Sequence, residues 1–309
     1  MNSLIVSSKN LMIQKIQAAE MNVRLKGQII TLKGSIEALN VMIEASDGDT
    51  LISVDNPLPG SISDKISLGD EIDASVMDVV TNAKILLEKG SSIKAGGSVV
   101  MKAVSSQKNN LIPFVEGANI INVKIGNAVI SILGNIEAGG AVEATASSTV
   151  NIAASNETLA KYFIPLAAGI LVSEARVEAG KDSVITAGGD VKLSSVSDVT
   201  LTTLSTVGAL PISLALSVVV NDSHVQVLGN IISRNGDISL DAKGSSKVTT
   251  KSTNKTPETS ENAVNPGNGS STPTGSGSLS NKYGGFFAAS IVIQDVDASV
   301  TGNGSLSAV

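Results

Sequence analysis

Short runs of β-branched and aliphatic residues alternate with small polar corners along nearly the whole chain. The stretch from Val177 to Ser205, VEAGKDSVITAGGDVKLSSVSDVTLTTLS, carries the rhythm most plainly. Val177, Val184 with Ile185, Val191 with Leu193, and Val199 with Leu201 mark its apolar pieces. These recur about every seven or eight residues, too close for full hairpin strands and too regular for a loop. Alternation within the pieces, as in Val142-Glu-Ala-Thr-Ala146, predicts strands. Leu11, Lys15 and Ala18 also fall near one helical face, but the same strand spacing continues beyond them without a cap or stop signal.

Aligned on its corners, the chain is a repeat. Ser35-Ile-Glu-Ala-Leu-Asn40, Ser92-Ile-Lys-Ala-Gly-Gly97, Asn135-Ile-Glu-Ala-Gly-Gly140 and Val184-Ile-Thr-Ala-Gly-Gly189 match, and Ile231-Ile-Ser-Arg-Asn-Gly236 matches more loosely. The anchors Ile36, Ile93, Ile136, Ile185 and Ile232 lie 57, 43, 49 and 47 residues apart, a period that suits solenoids and propellers. Each copy runs from a long aliphatic piece through a glycine corner to an alternating strand and a Ser/Thr-rich strand. Inserts fall at one phase only: 47–60, 105–117, 156–165, 206–211 and 251–285. Stacked repeats produce this pattern, because every insert leaves by the same edge. Propeller blades usually carry aromatic residues, which are scarce here.

The expected fold is therefore all-β: a parallel, right-handed β-helix or solenoid with about three short strands per coil and inserts on one edge. Coils of about 22 residues, two per repeat, fit the strand spacing. Inward positions should stack Val on Val and Ile on Ile, with Glu143, Lys192 and Ser239 facing water and corner glycines supplying positive φ angles. Residues 1–309 read as one solenoid segment of a longer protein, since the end, SLSAV, stops within a repeat unit. Residues 251–285, rich in Ser, Thr, Gly and Pro, read as a flexible insert.

Composition narrows the functional classes. Of all residues 42% are hydrophobic but only 2% aromatic, which suits a thin aliphatic core better than a wide core enclosing a pocket. The net charge of −6, without a basic stripe, argues against nucleic-acid binding. The absence of cysteine removes disulfides, thiolate nucleophiles and Cys-ligated zinc. No apolar run is long enough for a transmembrane helix, and the first residues lack the pattern of a signal peptide.

The unit AGGDVKLSS (Ala187 to Ser195), with GGFFAASIVIQDVDASVTGNGSLSA (Gly284 to Ala308), resembles the repeats of very large bacterial exoproteins, the filamentous-haemagglutinin-like and autotransporter-passenger β-helices. The resemblance covers nearly all of the chain apart from the inserts. It implies a structural or adhesive shaft, extracellular or on the bacterial cell surface, whose immediate partners are flanking repeats of the same chain. A cell-surface glycan or protein is the further partner it suggests. The matching positions are structural, so no functional residue carries over.

Candidate chemistry is sparse. His224, the only histidine, stands in a corner and reads as an exposed turn residue. Asp47 and Asp49 lack the further oxygen ligands that a calcium loop needs. Glu37 and Glu137 share a repeat phase, but Lys94 and Thr186 take it in other copies, as on a solvated face. No catalytic, cofactor-binding or metal residue is expected. The alternative reading is a carbohydrate-active β-helical enzyme or a phage-type tail spike, which would need clustered carboxylates in a groove. The aromatic residues Phe114, Tyr162, Phe163, Tyr283 and Phe286 all lie in or beside inserts. They read either as covers over the apolar seam or as a contact surface along one edge.

Overall fold

The structure is a computed structural model that describes residues 2–48, 65–67, 73–107, 119–158, 166–207, 212–254, 285–302 and 304–308. Among these residues every regular element is a strand. The chain opens with β1 (Ser3–Ser7), β2 (Asn10–Gly27) and β3 (Ile29–Gly48), followed by the short β4 (Lys65–Ser67). A three-strand cycle then sets in: β5 (Asp73–Leu87), β6 (Ser92–Ala95), β7 (Val99–Gln107). It returns as β8 (Asn119–Ile132), β9 (Asn135–Ala138), β10 (Val142–Thr158), and as β11 (Leu166–Ala179), β12 (Val184–Ala187), β13 (Val191–Val207). The last cycles are β14 (Ile212–Val227), β15 (Asn230–Ser233), β16 (Ile238–Asn254), then β17 (Gly285–Val300) and β18 (Ser305–Ala308).

Each strand lies parallel to its counterpart in the next cycle; only β4 with β5 is antiparallel. The stacking column Ile36, Ile93, Ile136, Ile185, Ile231 follows the ladder directly. This parallel ladder makes the chain a β-solenoid, in which each strand pairs above and below and interior edges vanish.

The register corrects three details of the sequence reading. From β5 onward a strand's partner lies one full repeat away, as Ile85 lies on Ile130, so one coil spans the whole repeat. Coils near the expected length occur only at the start, where Ser3 pairs with Asn22 and Asn10 with Ile29. The two long strands of a wide coil are not short: β11 runs 14 residues and β13 runs 17. Finally, Ile185 stacks on Ile231 rather than Ile232.

A wide coil needs more than one core, and the cross-section supplies two. The first is a three-sided aliphatic core in which Ile85, Ile130, Val177 and Val225 stack on one side. Val99, Val142 and Val191 stack on another. Beyond it the two long strands continue side by side as a flat wing. There Val150, Ile152, Leu171, Val199, Leu201 and Val219 form a second core.

A buried polar seam separates the two. Ser173 donates to Ser148 at 2.8 Å, and Ser148 donates to the Gly126 carbonyl at 3.0 Å. Ser173 has then used its one proton, so Ser197, 2.7 Å away, is the donor to it. Thr81 with Ser105 extends the seam one way along the stack, and Asn221, which donates to Ser246, extends it the other. Ser195 with Ser223 widens the seam by one inward position toward the first core. A second polar line closes the wing, where Thr250 donates to Ser217 and Ser217 to Thr203. Hydroxyls tolerate such burial because these find partners on the facing strand, in their own coil or the neighbouring one.

The Ala-Gly-Gly corners have a cause other than the one expected. Among the described glycines only Gly90 and Gly302 have positive φ. At the corners, Gly139 donates to the Ala95 carbonyl at 2.9 Å and Gly188 to that of Ala138 at 2.8 Å. A Cβ on Gly139 would run into the Gly96 carbonyl, and one on Gly188 into that of Gly139. These glycines allow backbone to lie directly on backbone.

Residues outside the described set fall mainly between the second long strand of one coil and the first of the next, the phase at which the inserts begin. Of the insert 251–285, residues 251–254 close β16 and Gly285 opens β17; the rest lies outside the described residues.

Candidate functional site

The short strands present one outward column. Glu37, Lys94, Glu137, Thr186 and Ile232 lie in register on β3, β6, β9, β12 and β15. With Arg234 and Asn235 the first three line a groove of about 430 Å3, floored by Ala95, Gly96, Ala138, Gly139 and Gly188. The sequence reading gave these positions to a solvated face. The ladder instead brings an acid, a base and an acid into file about 4.8 Å apart. Glu37 and Glu137 are thus about 10 Å apart by backbone spacing, with Lys94 between them. A carboxylate pair that cleaves a glycoside with inversion leaves that gap for water; here a lysine's register position fills it. Among the described residues no aromatic ring lines the groove.

The remaining candidates are engaged elsewhere. His224 Nε2 lies 3.8 Å from an Asp295 carboxylate oxygen on the outer face. Its neighbour Ser223 points the opposite way, into the seam, where its hydroxyl lies 2.8 Å from that of Ser195. No serine nucleophile is offered by that pair. Asp47 accepts hydrogen bonds from Gln28 Nε2 at 2.6 Å, the Asn82 backbone N–H at 2.7 Å and the Gly48 N–H at 3.1 Å. Its carboxylate ties the narrow early coils to β5, where the wide coils begin. Asp49 lies outside the described residues. Among the described residues no group of three or more His, Cys, Asp or Glu is placed to hold a metal.

Of the aromatic contact candidates, Phe114, Tyr162, Phe163 and Tyr283 lie outside the described residues. Phe286, the second residue of β17, lies opposite the buried Ser213, and Phe287 sits opposite Leu214 and is 59% exposed.

Phe287 belongs to a feature that sequence reasoning missed. In the wing half of β8, β11 and β14 the usual alternation breaks down: inward Leu171 and Val219 share their face with polar residues, while the outward positions are apolar. Asn122, Lys124, Ser173, Ser213, Ser217 and Asn221 point inward and are buried. Val123, Ile170 and Val218 point outward. The buried Lys124 ammonium reaches the Asn151 carbonyl at 3.3 Å, and Asn221 Nδ2 donates to Ser246 Oγ at 2.8 Å. The available signal was the length of the aliphatic runs, as in 212–220, where both alternating positions carry apolar residues. In parallel sheets such runs mark strands buried on both faces.

No family model matches this chain, and no curated protein or solved structure matches it. Among the described residues no helix is long and apolar enough to cross a membrane.

Proposed function

We propose that the chain is a non-catalytic shaft segment of a secreted or surface-attached bacterial exoprotein. It would be a right-handed β-solenoid that spaces adhesive elements away from the cell. Its immediate partners are flanking repeats of the same chain, and its distal partner is a cell-surface glycan or protein; nucleic acid has no part in this reading. The observation that carries it is the ladder itself. Ile stacks on Ile and Val on Val along the parallel strands, so the apolar interior goes into length rather than into an enclosed cavity. The test is adhesion of beads coated with the purified chain to immobilised bacterial and animal cell-surface glycans and proteins. Saturable retention supports the adhesive part; no retention on any surface leaves that part without support and reduces the segment to a spacer.

A second reading, a carbohydrate-active β-helical enzyme or tail spike, is favoured by the Glu37–Lys94–Glu137 groove. It predicts release of new reducing ends from a polysaccharide, abolished in both Glu37→Gln and Glu137→Gln. Unchanged product release in the two variants removes the groove from consideration.

A further inference from the structure

The outer sheet of the wing is the least expected surface of the molecule. Val123, Ile170, Val218 and Ile291 form one outward row across β8, β11, β14 and β17. Ile125, Val172, Val220 and Ile293 form the next. In the interior strands Ile170, Val172, Val218 and Val220 are part-exposed, whereas Leu171 and Val219 between them are fully buried. The opposite outer face of the same wing has Thr149, Asp198 and Ser245 in register, and Asn151, Thr200 and Lys247 beside them. One face of the wing is thus built for water and the other is not. Contiguous apolar surface of this kind marks an interaction site.

We infer that this face is where two copies of the chain pack, sheet against sheet. A parallel ladder of equal strands gives a flat surface, and the surface most complementary to it is another flat sheet about 10 Å away. Two further rows lie beyond that of Val123: Ile121, Ala168, Leu216 and Ala289, then Leu166, Leu214 and Phe287. Over the four rows, strand spacing and rise put the apolar area near 500 Å2 per copy, about 1,000 Å2 for a pair. That is the lower bound for a specific, reversible association.

Charge decides both the occupant and the geometry. The row bordering the apolar rows contains Glu174, Asp222 and Asp295 in register. This acidic margin disfavours an anionic bilayer, and the chain's net charge of −6 adds to the repulsion. A twofold axis along the strands would set the acidic rows of two copies against each other. A twofold parallel to the solenoid axis runs the strands antiparallel across the interface and sends the acidic rows to opposite margins. That second arrangement is the one assigned here. It places β14 of one copy over β14 of the other, with Val218 near the axis. The inference does not depend on adhesion or on the groove.

The test is sedimentation velocity of the full chain over a concentration series, for the wild type, Val218→Lys and Thr200→Lys. Val218→Lys should weaken association more than tenfold with an unchanged circular dichroism spectrum, while Thr200→Lys, on the polar face, should leave it intact. Val218→Cys should cross-link to itself with a short bismaleimide, which fixes the axis. A wild type that stays monomeric at high micromolar concentration overturns the proposal, as does association that Val218→Lys leaves unchanged. Monomeric chain that binds phosphatidylcholine vesicles and loses binding in Val218→Lys would assign the face to lipid instead. If Val218→Lys also alters the spectrum, the cross-linking result on the cysteine variant decides alone.

Discussion

Ser173 holds its place in the seam by giving one proton and receiving one. Ser173→Ala removes both bonds and leaves the buried Ser197 hydroxyl without its acceptor, while Ser148 keeps its bond to the Gly126 carbonyl. The expected loss is about 1–3 kcal/mol, read as a lower urea midpoint at an unchanged slope. Gly126 faces the same seam, and a Cβ there would come within 2.5 Å of Val150 and 3.0 Å of the Ser148 hydroxyl. Gly126→Ala should therefore destabilise through overpacking, by about 1–3 kcal/mol. These inward serines were not legible in the sequence. Alternation assigns polar residues to the outside, and a serine bonded to the next coil is written with the same letter as a solvated one. Their shared phase in successive repeats was the only trace.

The residue scale also holds one resolved titration effect. Lys89 and Asp182 meet at 2.6 Å across the shorter corner at Leu133 and Gly134. That hydrogen bond, and then the ammonium's charge, holds the Asp182 carboxyl below its ordinary value and raises Lys89. Asp182's contribution is present above the unfolded carboxyl pKa and is lost as pH falls through the folded one. Lys89's is present below the unfolded ammonium pKa and lost as pH rises through its raised value. Both groups lie in solvent, so the pair adds little stability. The expected observable is local: in Lys89→Ala, the Asp182 carboxyl resonance should titrate at a higher pH than in the wild type.

At the scale of the element, the corner motif sets the register. The anchors Ile36, Ile93, Ile136 and Ile185 were readable because strand and corner keep step through those copies. The last copy departs because one extra residue is absorbed at Arg234-Asn-Gly236. Ile185 lies on Ile231, 46 residues on, whereas Val191 lies on Ile238, 47 on. Counting back from the glycine therefore misses by one, and a slip of one turns every side chain to the other face. The corner also makes a prediction that separates its two roles. Ile136→Ala removes a fully buried side chain, an expected cost of about 2–5 kcal/mol, without disturbing the backbone path. Gly139→Ala drives a methyl into the Gly96 carbonyl, so it should also loosen the neighbouring corners. Amide exchange at Gly96 and Gly188 should accelerate in Gly139→Ala beyond what the global stability loss explains, and should follow global stability in Ile136→Ala.

At the scale of the whole molecule, period and composition were enough to read a parallel solenoid, but not the width of its coil. Strand pieces of similar spacing close either one broad coil or two narrow ones, and the choice rests on pairing one full repeat away, which no local pattern records. The broad coil gives each interior long strand two parallel neighbours, whereas among the described residues β17 pairs with β14 alone and β18 with β15 alone. The consequence is visible in burial. Val225 and Val227 are fully buried, while Val300, stacked on Val227, is 41% exposed, and Leu306 of β18 is equally exposed. Stability in such a stack is a sum of coil and nearest-neighbour terms, so opening should proceed from the ends inward. Hydrogen exchange should be slowest in the first-core parts of β9 to β13 and fastest in β1, β17 and β18, with a graded series between. Uniform protection from β5 to β18, lost in one step with denaturant, would instead mark a globally cooperative core. Nearest-neighbour stacking would then not be what holds the coils together.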